Sequence, residues 1–280
     1  MYMEFLGTAG AFRTPRPGSN SKASLEARMK KGPFMRTGPG IFIHGPNVLF
    51  DTSEDIFYQL NRASISCVNA CFYSHWHPDH TMGRRIFEVF NSEFLSDGKN
   101  TRVILPENVA SDAKMRLGFW DHLNHMQEKG DISLEVLSNN ESVKFDGCEV
   151  TAFPLSNDFA YGFILRTNKN KILIIPDESF GWWPSSTNFK DIDIAILPFG
   201  HTERHFTTGE LNYPEGLIFE RNEASFEDSI ELANQINANV TYFTHIEEFE
   251  NLSFEDCKKI ENEFSGQNYK IAFDTFTIDI

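Results

Sequence analysis

Short apolar runs alternate with polar turns along this chain, and the period of the runs changes from two to about 3.6. "MYMEFLG" predicts a first strand, and "GIFIHGPNVLFDT" predicts a hairpin turning at "GPN". "CVNACFYS", "TRVILPE", "DISLEVL", "ESVKFDG", "CEVTAFPLS", "YGFILRTN", "KILIIPD", "DIDIAILPFG" and "NVTYFTHI" predict further strands. "YKIAFDTFTIDI" predicts one closing strand. Helical spacing marks "SEDIFYQLNRA" with Ser53 as its N-cap, a long helix over 107–129, "FEDSIELANQINA", and "SFEDCKKIENEF" capped by Ser253. Residues 13–40 hold much Gly, Pro and basic character and predict a long loop, a type of segment that is often functional.

Two stretches echo each other. "NVLFDTSED" and "KILIIPDES" are both apolar strands ending in aspartate and a Ser-containing turn. The echo divides the chain into two similar β-rich halves, about 1–140 and 141–280. No short-period repeat or low-complexity tract interrupts it. The expected architecture is one domain over 1–280, mixed α/β (α+β), with two sheets packed together and helices outside.

Composition narrows the partners. A chain of 280 residues buries a sizeable core, and 27 Phe make much of that core aromatic. A net charge of -15 repels phosphate backbones, so extended nucleic acid is not expected. A small anionic substrate stays open, because a metal site supplies local positive charge. Cys67, Cys71, Cys148 and Cys257 are dispersed in apolar segments and read as reduced thiols. No leader and no membrane-length apolar run is evident, so the expected location is the cytoplasm. The expected partners are a small-molecule substrate and no membrane, with a homodimer left open.

The chemistry concentrates in "FYSHWHPDHTMG", residues 72–83. Side chains two apart in extended chain point the same way, so His75 and His77 can face one ion. Pro78 turns the chain and brings Asp79 and His80 in from another side. Imidazole nitrogen and carboxylate oxygen suit zinc, manganese or iron. Surface histidines are the bland alternative, and four such residues at this spacing rarely arise by drift.

At "HWHPDH" the sequence resembles the metallo-β-lactamase superfamily through its H-x-H-x-D-H motif. The resemblance implies a four-layer αββα sandwich with metals at the strand ends between the sheets. It implies that Asp51, ending "VLFDT", supports the histidine loop. It implies that Asp177, in "ILIIPDES", bridges two ions and that His245, ending "VTYFTHI", is the last metal histidine. Taken alone, each aspartate reads as a cap or turn residue and His245 as a strand-end residue.

One position departs from the family pattern. A further metal histidine is expected after "VTAFPLS", and Asn157 stands there. An amide oxygen is a weaker zinc ligand than imidazole, and the adjacent Asp158 is a candidate substitute. The expectation is an asymmetric centre of one or two divalent ions, zinc first, then manganese or iron. His201 and His205 follow a strand in "LPFGHTERHF"; His201 is a candidate proton donor or replacement ligand, and a polar surface loop is the equal alternative. His122 and His125 read as exposed helix residues, and His44 as structural. Trp182 to Pro184 read as pocket lining or core.

The implied activity is metal-dependent hydrolysis by a metal-bound hydroxide, with Asp79 orienting the nucleophile. "FLGTAGAFRTP" resembles the branch of tRNA 3′-processing endonucleases and a cyclic phosphodiesterase. Together with the acidic charge, this favours a small phosphodiester. Arg13, Arg16, Lys30, Lys31 and Arg36 either approach its phosphate or form a solvated basic loop. The competing expectation is a catalytically impaired binding protein of the same fold, disabled at Asn157.

Overall fold

The computed structural model describes residues 1–92, 99–213 and 223–280. The first sheet contains β1 (Tyr2–Gly7), β2 (Gly40–His44), β3 (Val48–Phe50), β4 (Ala70–Phe72), β5 (Thr101–Pro106) and β6 (Ile132–Leu137). The second contains β7 (Ser142–Phe145), β8 (Cys148–Pro154), β9 (Tyr161–Thr167), β10 (Lys171–Ile174), β11 (Ile194–Pro198), β12 (Val240–Thr244) and β13 (Tyr269–Ile271). The chain changes sheet between Leu137 and Ser142 and then returns, because β14 (Thr277–Asp279) pairs with β1. The predicted single closing strand is therefore two strands in different sheets. Asp274 pins the crossing by accepting from the backbone N–H and hydroxyl groups of Thr8 and Thr37.

Strands β3 to β6 run parallel, as do β10 to β13, while the remaining pairings are antiparallel. Parallel strands buried on both faces need continuous apolar runs, which "KILII" and "IAIL" supply. Ile172, Ile174, Ile194 and Ile196 face the inter-sheet core. Leu173, Ala195 and Leu197 face the outer helices. Phe163 of β9 sits 5.0 Å from Phe50 and 5.6 Å from Phe72, so aromatic rings join the two sheets.

The helices are α1 (Lys22–Lys30), α2 (Ile56–Arg62), α3 (Pro78–Thr81), α4 (Ile86–Phe90), α5 (Glu107–Ala113), α6 (Phe119–Glu128), α7 (Phe226–Ile236) and α8 (Phe254–Glu263). Helices α2, α5 and α6 cover the first sheet, and α7 and α8 cover the second, which gives the four-layer αββα order. Three sequence expectations change here. The helix over 107–129 is two helices, because Leu117 (φ 54°) and Gly118 (φ 57°) turn left-handed between them. The N-cap of α2 is Asp55, and the Ser53 hydroxyl is buried without a hydrogen-bond partner. Residues 13–40 contain α1, whose buried side chains are only Ala23, Ser24 and Ala27. So small a buried face leaves no apolar stripe to read. Among the described residues, no helix is long and apolar enough to cross a membrane.

Candidate metal centre

The candidate residues gather where parallel strands end, the usual place for a ligand in such sheets. Asp51 follows β3, Asp177 and Glu178 follow β10, and His245 follows β12. Asp51 (φ 62°), Glu178 (φ 56°) and His245 (φ 56°) all adopt the left-handed region. That conformation costs about 1–2 kcal/mol for an ordinary residue. Here it turns the chain sharply at the strand exit.

The histidine loop is built by its own backbone. Pro78 opens α3 at the first helical position, where its missing N–H costs nothing. His77 therefore stays extended while His80 lies one turn on, and the His80 N–H donates to the His77 carbonyl at 3.1 Å. Asp51 holds the loop from below. It accepts from Ser74 N at 2.8 Å and Ser74 Oγ at 2.7 Å, and it faces His80 Nδ1 at 2.8 Å. A carboxylate there makes Nδ1 the donor and leaves Nε2 as a lone-pair donor toward the cleft.

Two groups of ligand atoms result. His75, His77, Asp177 and Glu178 form one, and Asp79, His80 and His245 the other. His80 Nε2 lies 3.2 Å from His245 Nε2 and 3.3 Å from Asp79 Oδ2. Asp177 Oδ2 lies between the groups, 3.8 Å from His75 Nε2, 3.9 Å from His80 Nε2 and 3.6 Å from His245 Nε2. Ligand atoms around a tetrahedral zinc stand roughly 3.4 Å apart. His75 is 1% exposed and its Nε2 has no hydrogen-bond partner. A buried, unpaired lone pair aimed at carboxylates is what a cation would satisfy, so the residues present fit a divalent metal pair.

The electrostatics agree with that fit. Burial, with His80 and His77 beside it, pushes the His75 imidazole well below its usual range and keeps it neutral. Burial would also lower His80, but the Asp79 and Asp51 carboxylates outweigh it and raise its pKa well above the usual value. His245, likewise buried, is lifted to about 9 by Asp177 and Asp79. Burial raises Asp79, yet His80 and His245 hold it below the ordinary carboxylate range. Burial pushes Glu178 up, with Asp177 and Glu223 adding to it. Burial likewise takes Glu247 to about 7. Protons compete here for places a cation would occupy.

These groups open on a cavity of about 110 Å3 lined by His77, Asp79, Asp177, Glu178, His201, Glu223, His245 and Glu247. His201 is thus brought to the cavity wall, its Nδ1 bonded to the Ala224 carbonyl at 3.0 Å. His205 is not at the cavity. Its Nδ1 accepts from the Thr207 and Thr208 backbones, and Nε2 faces the Asn251 carbonyl, so it fastens a loop.

Other expectations need correction. Asn157 does not turn an oxygen to the cluster: its Oδ1 accepts from Ala160 N at 3.3 Å and its Nδ2 donates to Glu178 Oε2 at 2.8 Å. Asp158 is exposed and belongs to neither group. Glu178 was missed because adjacent side chains in a strand point to opposite faces, and only its left-handed φ brings it beside Asp177. Arg36 is buried and bonded to Thr8 Oγ1 and the Ala272 carbonyl, so it is not part of a solvated basic loop. Arg13 pairs with Asp55 and Arg16 with Glu248, and both line a neighbouring cavity that shares Asp79. Lys30 pairs with Glu26, and Lys31 is exposed. Trp182 packs on Phe153 and Phe189 in the outer core. His44 pairs with Glu4, and His122 with Glu88.

Comparison with known proteins agrees with this geometry. The ribonuclease Z of Archaeoglobus fulgidus is 31% identical over 123 residues, which is 42% of this chain and 38% of that protein. The chain thus matches about two fifths of that relative's length. Zn(2+)-bound PqqB from Methylobacterium extorquens superposes with a TM-score of 0.74 at 13% identity, covering 100% of both chains. A diphosphatase of the PhnP family superposes with a TM-score of 0.69 at 18% identity, covering 99% of this chain and 96% of that one. At such identities these two structures speak to the fold alone. The model of the beta-lactamase superfamily domain matches residues 46–246, from the β2–β3 turn to the residue after His245. That span takes in most of the chain and every residue of both ligand groups, and the chain belongs to the beta-lactamase superfamily.

Proposed function

We propose that the chain is a metal-dependent hydrolase of a small phosphodiester. The observation that carries the reading is the convergence of seven ligand-bearing side chains, from both sheets, in two adjoining groups at the strand ends, five of which line one cavity. His75, His77, Glu178, Asp79, His80 and His245 would hold two divalent ions, with Asp177 between them. Such ions supply Lewis acidity, lowering the pKa of a water and offsetting phosphate charge. The protein's own groups do the rest. Asp79, held ionised, accepts a hydrogen bond from the attacking water and orients it, the water's proton passing to solvent. His201 lines the same cavity and gives a proton to the departing alkoxide as the P–O ester bond breaks and the new P–O bond forms.

The small-phosphodiester assignment is supported by the acidic cavity and surface. Four carboxylates besides Asp79 line the cavity, namely Asp177, Glu178, Glu223 and Glu247, so only an anion small enough to sit against the ions escapes repulsion. The similarity to a ribonuclease Z favours phosphorus chemistry. The test is a hydrolysis panel on metal-loaded protein with bis(4-nitrophenyl) phosphate, cyclic nucleotides, single-stranded RNA, a thioester and a β-lactam. The small phosphodiesters should react fastest, and a chelator should abolish the reaction. A thioester or lactam in first place overturns the substrate class. Full metal occupancy with no hydrolysis favours a binding protein instead.

A further inference from the structure

We propose that Glu178 is the third protein side chain unique to the first ion, and that Asn157 is the positioning residue that aims it. The inference rests on the metal-centre reading and adds to it a ligand that the histidine motif does not contain.

The Asn157 carboxamide has one workable orientation. Its Oδ1 accepts from the Ala160 N–H and its Nδ2 donates to Glu178 Oε2 at 2.8 Å. Exchanging the two atoms would set N–H against N–H and oxygen against a carboxylate. Asn157 therefore offers the cluster a donor and no lone pair. That donor occupies one carboxylate oxygen of Glu178. The other, Oε1, lies 3.3 Å from His77 Nδ1 and in one group with His75 and Asp177. The neighbouring His75 Nε2 is buried and has no hydrogen-bond partner, a lone pair that a cation would satisfy and a self-contained carboxylate cluster would not.

The backbone makes this arrangement. Asp177 and Glu178 are consecutive, and an extended chain would send them to opposite faces. Glu178 instead takes a left-handed φ, and both side chains line the cleft. The carboxylate then fills the place left when position 157 lacks an imidazole.

A consequence follows for the metals. The first ion would be held by His75, His77, Glu178 and shared Asp177, and the second by Asp79, His80, His245 and shared Asp177. Each set is two imidazoles and two carboxylates. The two sites are therefore matched in donor chemistry, not asymmetric as Asn157 alone suggests. Oxygen-rich sets of this kind accept manganese or iron more readily than a three-imidazole site does.

Manganese titration of the metal-free full-length chain tests the proposal, with calorimetry for stoichiometry and paramagnetic resonance for free and bound ion. Wild type should bind two ions with dissociation constants within about tenfold of each other. Glu178→Gln should bind one. His245→Ala should also bind one, and this variant reports the other site. Asn157→Ala keeps both carboxylates and should weaken one of the two ions 10–100-fold, the range for removing a group that orients a ligand. Circular dichroism and thermal melts identify any variant that fails to fold, and Asn157→Ala then carries the test. Two ions bound to Glu178→Gln as tightly as to wild type overturn the Glu178 assignment and leave the metal centre standing. No ion bound to wild type overturns the metal centre itself.

Discussion

Gly83 closes the histidine loop at a place where no side chain fits. A Cβ there would lie 2.0 Å from the Ser53 carbonyl oxygen and 2.7 Å from Ile56 Cγ2. The Gly83 N–H also donates to the Thr52 carbonyl, tying the loop to the segment that carries Asp51. Gly83→Ala should destabilise the fold by about 1–3 kcal/mol, the cost of overpacking a rigid contact. It should also weaken metal binding, because the loop that carries His75 to His80 must shift. Denaturant unfolding and a metal titration check both, and unchanged midpoints would show that the contact relaxes freely. His201 calls for a different measurement. Without it the leaving oxygen must depart unprotonated, so His201→Ala should slow an alkyl phosphodiester by about 10²–10⁴-fold. A 4-nitrophenyl ester, whose leaving group needs no proton, should lose much less, with metal stoichiometry unchanged. Equal losses on both esters would make His201 a structural or binding residue. At this scale the motif residues were legible because their spacing alone puts them together. Glu178 was not, since its placement depends on one backbone angle.

The elements show the same division. Helices α7 and α8 were readable because each joins an amphipathic face to a Ser–Asp capping box, Ser225 with Asp228 and Ser253 with Asp256. Helix α1 was not, and what holds it in place is polar. The buried Glu248 carboxylate accepts from the hydroxyls of Ser19, Ser21 and Ser24 and from Arg16 Nε. Burial alone would raise its pKa, but those donors lower it to about 2. An unfolded glutamate titrates near about 4.3. The folded value is depressed, so this contribution is complete above the unfolded pKa and fades as pH falls from about 4.3 toward 2. Urea midpoints of wild type and Glu248→Gln should differ clearly at pH 6, draw together as pH falls below about 4.3, and converge only below about pH 2. A difference independent of pH would mean that the carboxylate charge does not hold α1 in place.

Over the whole molecule, the echo between "NVLFDTSED" and "KILIIPDES" was the most informative global signal. It locates two strand exits, one in each sheet, that place Asp51 beneath the histidine loop and Asp177 beside the ligand nitrogens of that loop. Continuous apolar runs identified the doubly buried strands. The return of β14 to the first sheet was not legible, because "YKIAFDTFTIDI" keeps one apolar character through the turn at Asp274 and Thr275. The central claim is that the two sheets together build a two-ion centre. Anomalous scattering at the manganese edge, from crystals of the full chain loaded with manganese, measures this directly. Two peaks about 3.5–4 Å apart are expected, one among His75, His77 and Glu178 and the other among Asp79, His80 and His245, with Asp177 touching both. A loaded crystal with no anomalous peak at these residues would contradict the account.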